Sequence, residues 1–220
     1  LLLTDRILFA LAIALVGVGI VFALWPDLDL ATTRYVYEHN GFWKASRAAH
    51  DARDFLRIAP FWVLGGLAAL WLARRLKWPN LPAPSGAAII FLIASLTIGS
   101  GLIVNLGLKD HSHRPRPVHV VGFGGDQAFR PWDRFDGACR KNCAFASGEA
   151  ASGFWMVAPA LLAPPPWQAA AVAAAVVYGV VTSALRVLVG AHFLSDVLVA
   201  GLISLLVVLA MWRYYERRRL

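Results

Sequence analysis

Residues Ala184–Asp196 read ALRVLVGAHFLSD and lie between two long apolar runs, Trp167–Leu185 and His192–Trp212. A helix needs about 20 mainly apolar residues to cross a bilayer, and both runs approach that length. The junction holds Arg186, His192 and Asp196. On a helix starting near Ala191, His192 and Asp196 share a face, and Gly190 offers a turn between them and Arg186. A cation, an imidazole and a carboxylate rarely stay together at a membrane edge unless they pair or act. A helix end with incidental polar groups is the plain alternative, and the stretch alone does not decide between the two.

Outward from this junction, four more apolar runs appear: about Ile7–Trp25, Ile58–Ala73, Ala87–Leu108 and Ala150–Ala163. The last is short and stops at the proline cluster Pro164–Pro166. The sequence therefore predicts an all-α integral-membrane protein, a six-helix bundle over residues 1–220 in a single domain. With 59% hydrophobic and 15% charged residues, the chain is too apolar for a soluble domain. No small-x-small site precedes Pro26, so the first run is expected to be retained as a span.

Basic residues in short loops orient a membrane protein. Arg6, then Arg74, Arg75 and Lys77, then Arg213 and Arg217–Arg219 mark three flanks that six spans place on one side. Both termini are expected to be cytoplasmic. The net charge of +8 follows from these anchors and from loop arginines, and no nucleic-acid module is recognisable. Residues 26–57 are expected to lie on the membrane, with Ala45–Leu56 as a surface helix and Tyr35, Tyr37 and Phe42 in an interfacial belt. Such a belt also suits the border of a lipid entry route.

The loop 109–149 carries the densest chemistry. Its two cysteines, Cys139 and Cys143, make a poor zinc site. In an oxidising compartment a disulfide clip is the preferred reading, with two free thiols as the other. FGG at 123–125 lacks the spacing of a nucleotide loop and reads as a turn. Small polar residues in the third run, including Ser100 and Asn105, read as helix packing.

Three pieces fall on one side of the membrane: Lys109 with Arg116, then Ser147 with Gly148, then Arg186, His192 and Asp196. Lysine supplies a point charge and arginine planar paired donors, both suited to phosphate. Ser147 is placed to cap a helix whose free N–H groups favour an anion, and Gly148 admits a ligand close to the backbone. A histidine beside this cradle can attack phosphorus if one ring nitrogen is unprotonated, with Asp196 holding the other. The cations argue against a metal site, so neither metal nor cofactor is expected.

In this order, Lys109-x6-Arg116-Pro117, Ser147-Gly148 and Arg186-x5-His192-x3-Asp196 resemble the type 2 phosphatidic acid phosphatase (PAP2) superfamily. The resemblance covers about Ala87–Ala210. It implies a metal-independent lipid phosphatase with a phosphohistidine intermediate, His192 as nucleophile and Asp196 as its orienter. Lys109, Arg116, Ser147, Gly148 and Arg186 would hold the phosphoryl group. Two residues depart from the family pattern. Glu149 stands where the family has the histidine that protonates the leaving group, and Leu185 replaces a serine.

Three readings of Glu149 stand: an acid, a partner of Arg or Lys, or an engineered change that disables turnover. The first is preferred, because a carboxyl there still donates a proton if its environment raises its pKa. His111 and His113 are back-up acids. The implied setting is the periplasmic face of a bacterial inner membrane, and the implied partners are the bilayer and a lipid phosphate. Arg130, Arg134, Arg140 and Lys141 favour a large anionic headgroup such as lipid A. Undecaprenyl diphosphate and phosphatidylglycerophosphate are alternatives, as are transfer of the phosphoryl group to a second lipid and, in another class, an anion transporter. Oligomeric state is not legible.

Overall fold

The computed structural model describes residues 2–43 and 47–218. Ala45 and Arg219, both included in the expectations above, lie outside them. The helices are α1 (Leu2–Leu24), α2 (Asp27–Asn40), α3 (Arg47–Leu76), α4 (Gly86–Leu96), α5 (Gly148–Trp155), α6 (Val157–Ala160), α7 (Pro165–Leu188) and α8 (Leu194–Arg217). A π-helical segment, Thr97–Lys109, continues α4 without a break. Among the described residues a lone bridge between Val120 and Gln127 is the nearest thing to a strand.

Five of the helical segments are long and apolar enough to cross a membrane: Leu3–Leu24, Asp51–Leu76, Gly86–Lys109, Pro165–Leu188 and Leu194–Arg217. Their outer faces carry exposed Phe9, Ile13, Phe61, Trp62, Ile90 and Val177, as lipid-facing helices do. The fourth expected run, Ala150–Ala163, is different. It forms the short helices α5 and α6, and is not a span by length. Ala150, Ala151, Ser152, Gly153 and Trp155 are all buried, so α5 runs inside the bundle. Small residues permit this packing: Phe154 of α5 lies against Gly179 of α7 and Gly201 of α8.

The ends of the bundle are set by local signals. Ser85 caps α4 by accepting from Ala88 N at 3.1 Å, just after the prolines at 79, 82 and 84. Pro165 opens α7, where a missing N–H costs nothing. Asp5 near the start of α1 pairs with Arg213 near the end of α8 at 2.8 Å, so both ends of the chain share one end of the bundle. The long loop between α4 and α5 covers the other end.

Residues 26–43 and 47–57 do not lie apart from the bundle as a belt. In α2, Asp29, Thr33 and Val36 form one buried stripe at helical spacing. Tyr37 and Phe42 pack edge-on against Phe123 of the long loop, while Tyr35 remains exposed. Arg47 onward is the first part of α3, not a separate surface helix, and α3 continues through Pro60 to Leu76. Phe42 seats under Gly190, which has φ +67°; a Cβ there would meet the Phe42 ring at 2.6 Å. Gly190 is thus required both for its turn and for its contact. This turn reverses the chain from α7 into α8.

Candidate active site

The covered end of the bundle gathers the C-terminus of the π-helical segment, the N-terminus of α5, the end of α7 and the start of α8. Every residue singled out from the three motifs comes to this end. Lys109 is within electrostatic reach of Arg116, Arg186 and Glu149. Arg116 donates from Nε to the carbonyl of Asn142 at 3.1 Å. Ser147 is buried and caps α5, its Oγ accepting from Ala150 N at 3.3 Å. Its own N–H donates to the carbonyl of Asp196 at 3.2 Å, joining α5 to α8.

Gly148 has a packing reason that its motif does not reveal. A Cβ there would lie 2.4 Å from Oδ1 of Asn105. Glycine therefore lets α5 approach the π-helical segment, and Asn105 Nδ2 donates to the carbonyl of Ser100 at 2.7 Å in that segment.

His192 is buried, and its Nδ1 lies 2.7 Å from the carbonyl of Ala144. A carbonyl only accepts, so Nδ1 carries the proton and Nε2 of the neutral ring keeps its lone pair. Asp196, expected to hold this nitrogen directly, stands 3.6 Å from it, beyond hydrogen-bond length. The tautomer is fixed by Ala144, and Asp196 acts on the ring as a nearby charge. Burial foremost pushes the imidazole down to about 4, Arg186 adding and Asp196 opposing. The ring is neutral at pH 7.

Arg186 is buried at the end of α7, and its Nε makes no hydrogen bond, a costly state for a guanidinium. Glu149 Oε2 is 3.4 Å away but not in hydrogen-bonding geometry. The firm partner of Glu149 is Arg53 of α3, which donates from Nη2 at 2.9 Å and from Nε at 3.4 Å. Burial alone raises its carboxyl, but Arg53 and Arg186 outweigh burial and hold it below the ordinary range. In this arrangement Glu149 is an arginine partner, the second of its three readings. His111 and His113 are exposed and face backbone carbonyls, the latter Cys139 O at 2.9 Å. They are not part of the cluster.

Cys139 and Cys143 are joined in a disulfide, with Cα atoms 5.7 Å apart. The clip closes around Asn142, and Ala144 follows it, so the loop that holds Arg116 and His192 is pinned beside both. Arg53 and Asp29 escaped sequence reading because each sits in a segment without a motif. Arg114 lies inside the Lys109-x6-Arg116 spacing, between the two recognised cations. The signal for Asp29 is its place on an otherwise buried stripe of α2.

This arrangement joins an imidazole with one free nitrogen, a capped helix start and four cations, parts suited to phosphoryl transfer. Residues 88–220 match the PAP2 superfamily, and the chain belongs to that family. It is 43% identical over 187 residues to the Lipid A 4'-phosphatase of Francisella tularensis subsp. novicida (strain U112), spanning 83% of this chain and 84% of that protein. The Lipid A 4'-phosphatase of Rhizobium leguminosarum is 40% identical over 127 residues, 58% of this chain and 54% of that protein. In fold, the chain is similar to a transmembrane PAP2 type phosphatidylglycerolphosphate phosphatase from Bacillus subtilis, with a TM-score of 0.63, 15% identity and 96% of each chain covered.

Proposed function

We propose that this chain removes a phosphate monoester from the sugar headgroup of lipid A, through a phosphohistidine on His192. The family and the site together make it a lipid phosphatase of the membrane. The observation that carries the mechanism is the Nδ1–Ala144 bond, which leaves Nε2 as the unprotonated nitrogen. Nε2 attacks phosphorus, the ester P–O bond breaks, and the proton on Nδ1 stays on the ring, donated to the carbonyl of Ala144. Water then cleaves the N–P bond. Lys109, Arg116, Arg186 and the N–H groups behind Ser147 stabilise the charge on the phosphoryl oxygens.

The leaving sugar oxygen needs a proton. Phosphate bound to Arg186 competes with Glu149 for the same guanidinium. Glu149 is then left buried with fewer cations, and its carboxyl rises toward the range of an acid. Glu149 thus serves first as an arginine partner and then as proton donor.

The reading also places α5 and α6 together as a sixth, inward-running segment. α5 starts at the site, and Trp155 Nε1 reaches Ser95 of α4 at 2.9 Å, toward the opposite end. Both termini are then cytoplasmic, and the site faces the periplasm at the inner membrane, where the paired cysteines find oxidising conditions. The exposed Arg134, Arg140 and Lys141 around the rim suit a headgroup bearing more than one anion.

The test is phosphate release by the purified protein in detergent from lipid A, undecaprenyl diphosphate, phosphatidylglycerophosphate and phosphatidic acid, with and without EDTA. Release from lipid A above the others, unchanged by EDTA, is expected. Preference for any other substrate overturns the assignment of lipid A, and loss of release with EDTA overturns the metal-independent step.

A further inference from the structure

Arg114 is entirely buried, and its guanidinium is shared by two carboxylates. Nη2 donates to Asp29 Oδ2 at 2.7 Å and Nη1 to Asp196 Oδ1. Nη1 also reaches Ser195 Oγ at 2.8 Å, and Nε donates to the carbonyl of Arg130 at 2.8 Å. The plane of charge sits 4.3 Å from the Phe193 ring. Asp29 in turn accepts from Ser195 N at 2.9 Å and from Ser195 Oγ at 2.6 Å. Asp196 accepts from Phe193 N at 2.8 Å. Each carboxylate receives donors on both oxygens. Burial foremost, with Asp196 adding, still holds the Asp29 carboxyl above its ordinary range, against Arg114 and Ser195, which pull it down.

The sum of these charges is unusual for a dry interior. Two carboxylates against one guanidinium leave one uncompensated negative charge, and an unmatched buried charge is expensive. A single carboxylate would have satisfied Arg114. The excess lies beside His192, whose Nδ1 is 3.6 Å from Asp196. When Nε2 bonds to phosphorus while Nδ1 keeps its proton, the ring becomes a cation. At that point Asp29, Arg114, Asp196 and the ring sum to zero.

We infer that Asp29 and Arg114 are positioning residues that pre-set a negative charge behind the nucleophile, which the cationic ring of phosphorylated His192 balances. Asp29 acts from α2, outside residues 88–220 that match the family, and reaches the ring through Arg114 and Asp196. A site that carries its compensating charge in place before reaction avoids reorganisation during it. The inference rests on the reading of His192 as nucleophile.

The experiment uses the full chain in detergent, with a lipid labelled at its phosphate and rapid acid-free quenching to count phosphorylated protein. Asp29→Asn keeps the shape and removes the excess charge. It is expected to lower kcat by about tenfold to a hundredfold, to leave KM within about twofold, and to reduce the trapped phosphoprotein. Arg114→Met alone is expected to be the poorest of the three variants. Asp29→Asn with Arg114→Met restores a net charge of one and is expected to exceed Arg114→Met in kcat.

Wild-type kcat and phosphoprotein in Asp29→Asn overturn the inference, as does a shift in KM alone. If Arg114→Met fails to fold, the Asp29→Asn phosphoprotein level decides. His192→Ala run beside these variants separates the two readings. Continued turnover there removes the nucleophile itself, whereas an inactive His192→Ala with a fully active Asp29→Asn removes only the role of the network.

Discussion

The two flanks of His192 follow opposite rules. Behind Nδ1, Asp29, Arg114, Ser195 and Asp196 are buried and saturated with hydrogen bonds. Around the phosphate end, Arg186 is equally buried but has an unbonded Nε, and Glu149 leans on Arg53. The saturated flank holds what must stay still. The under-bonded flank keeps a donor available at a known cost.

Variants break this contrast in graded steps. His192→Ala removes the bond-forming atom, and phosphate release should fall to background in a detergent assay; retained release would end the phosphohistidine reading. Arg186→Ala takes a charged donor from the phosphate flank and should cost about a hundredfold to a thousandfold in kcat, as loss of one oxyanion donor does elsewhere. A change confined to KM would instead make Arg186 a ground-state contact.

Glu149→Gln keeps the shape and the hydrogen-bonding oxygen but cannot donate a proton. Its kcat should drop by about tenfold to a hundredfold with alkoxide-leaving substrates, and far less with a phenolic ester whose leaving group needs no proton. An equal loss on both would leave Glu149 as an arginine partner only.

Acid should weaken the fold through the other flank. The unfolded chain takes a proton on His192 near its ordinary value of 6.5, whereas the folded chain does so only near 4. Between these values the unfolded state binds more protons, so this contribution is full above about 6.5 and declines as pH falls to about 4. Denaturant melts across that window should show His192→Gln flatter than the wild type. Reduction of the Cys139–Cys143 clip should have the smallest effect, a loss of about threefold in kcat, read with and without a membrane-permeant reductant.

Most of the architecture was legible because it depends on local pattern. Apolar runs, the Pro164–Pro166 cluster and the Ser147 cap act over a few residues, and they placed the neighbourhoods of all the described helices but α2 without tertiary knowledge. The motif residues were legible for a similar reason: Lys109, Arg116, Ser147, Arg186, His192 and Asp196 sit in short, spaced signatures. What stayed hidden depends on packing between distant segments. Asp29 and Arg114 are 85 positions apart, and Arg53 and Glu149 are 96 apart. No local window sees either pair.

The joining of the loop helix to the second span also stayed hidden, because the charged stretch holding Arg53, Asp54 and Arg57 separates it from the apolar run starting at Ile58, although α3 runs through both. The π-helical stretch is invisible to a 3.6-residue period. Its wider turn lets Asn105 reach back to Ser100, the residue five before it, and shifts where Lys109 emerges. The arginine partner of Glu149 stayed hidden for a physical reason: position in a motif says which role a residue inherits, while charge state follows from neighbours on α3 and α7.

The clip at Cys139–Cys143 brings the two flanks under one mechanical dependence. The carbonyl of Asn142 anchors Arg116, and the carbonyl of Ala144, two residues on, anchors the imidazole. Ala144 N also bonds the carbonyl of Arg114 at 2.9 Å, so the same strip of backbone touches the charge network as well. A proteolytic nick or a swollen insertion in these few residues would therefore disarm nucleophile and phosphate cradle together while leaving the long helices intact: a fuse set in the loop rather than in the spans.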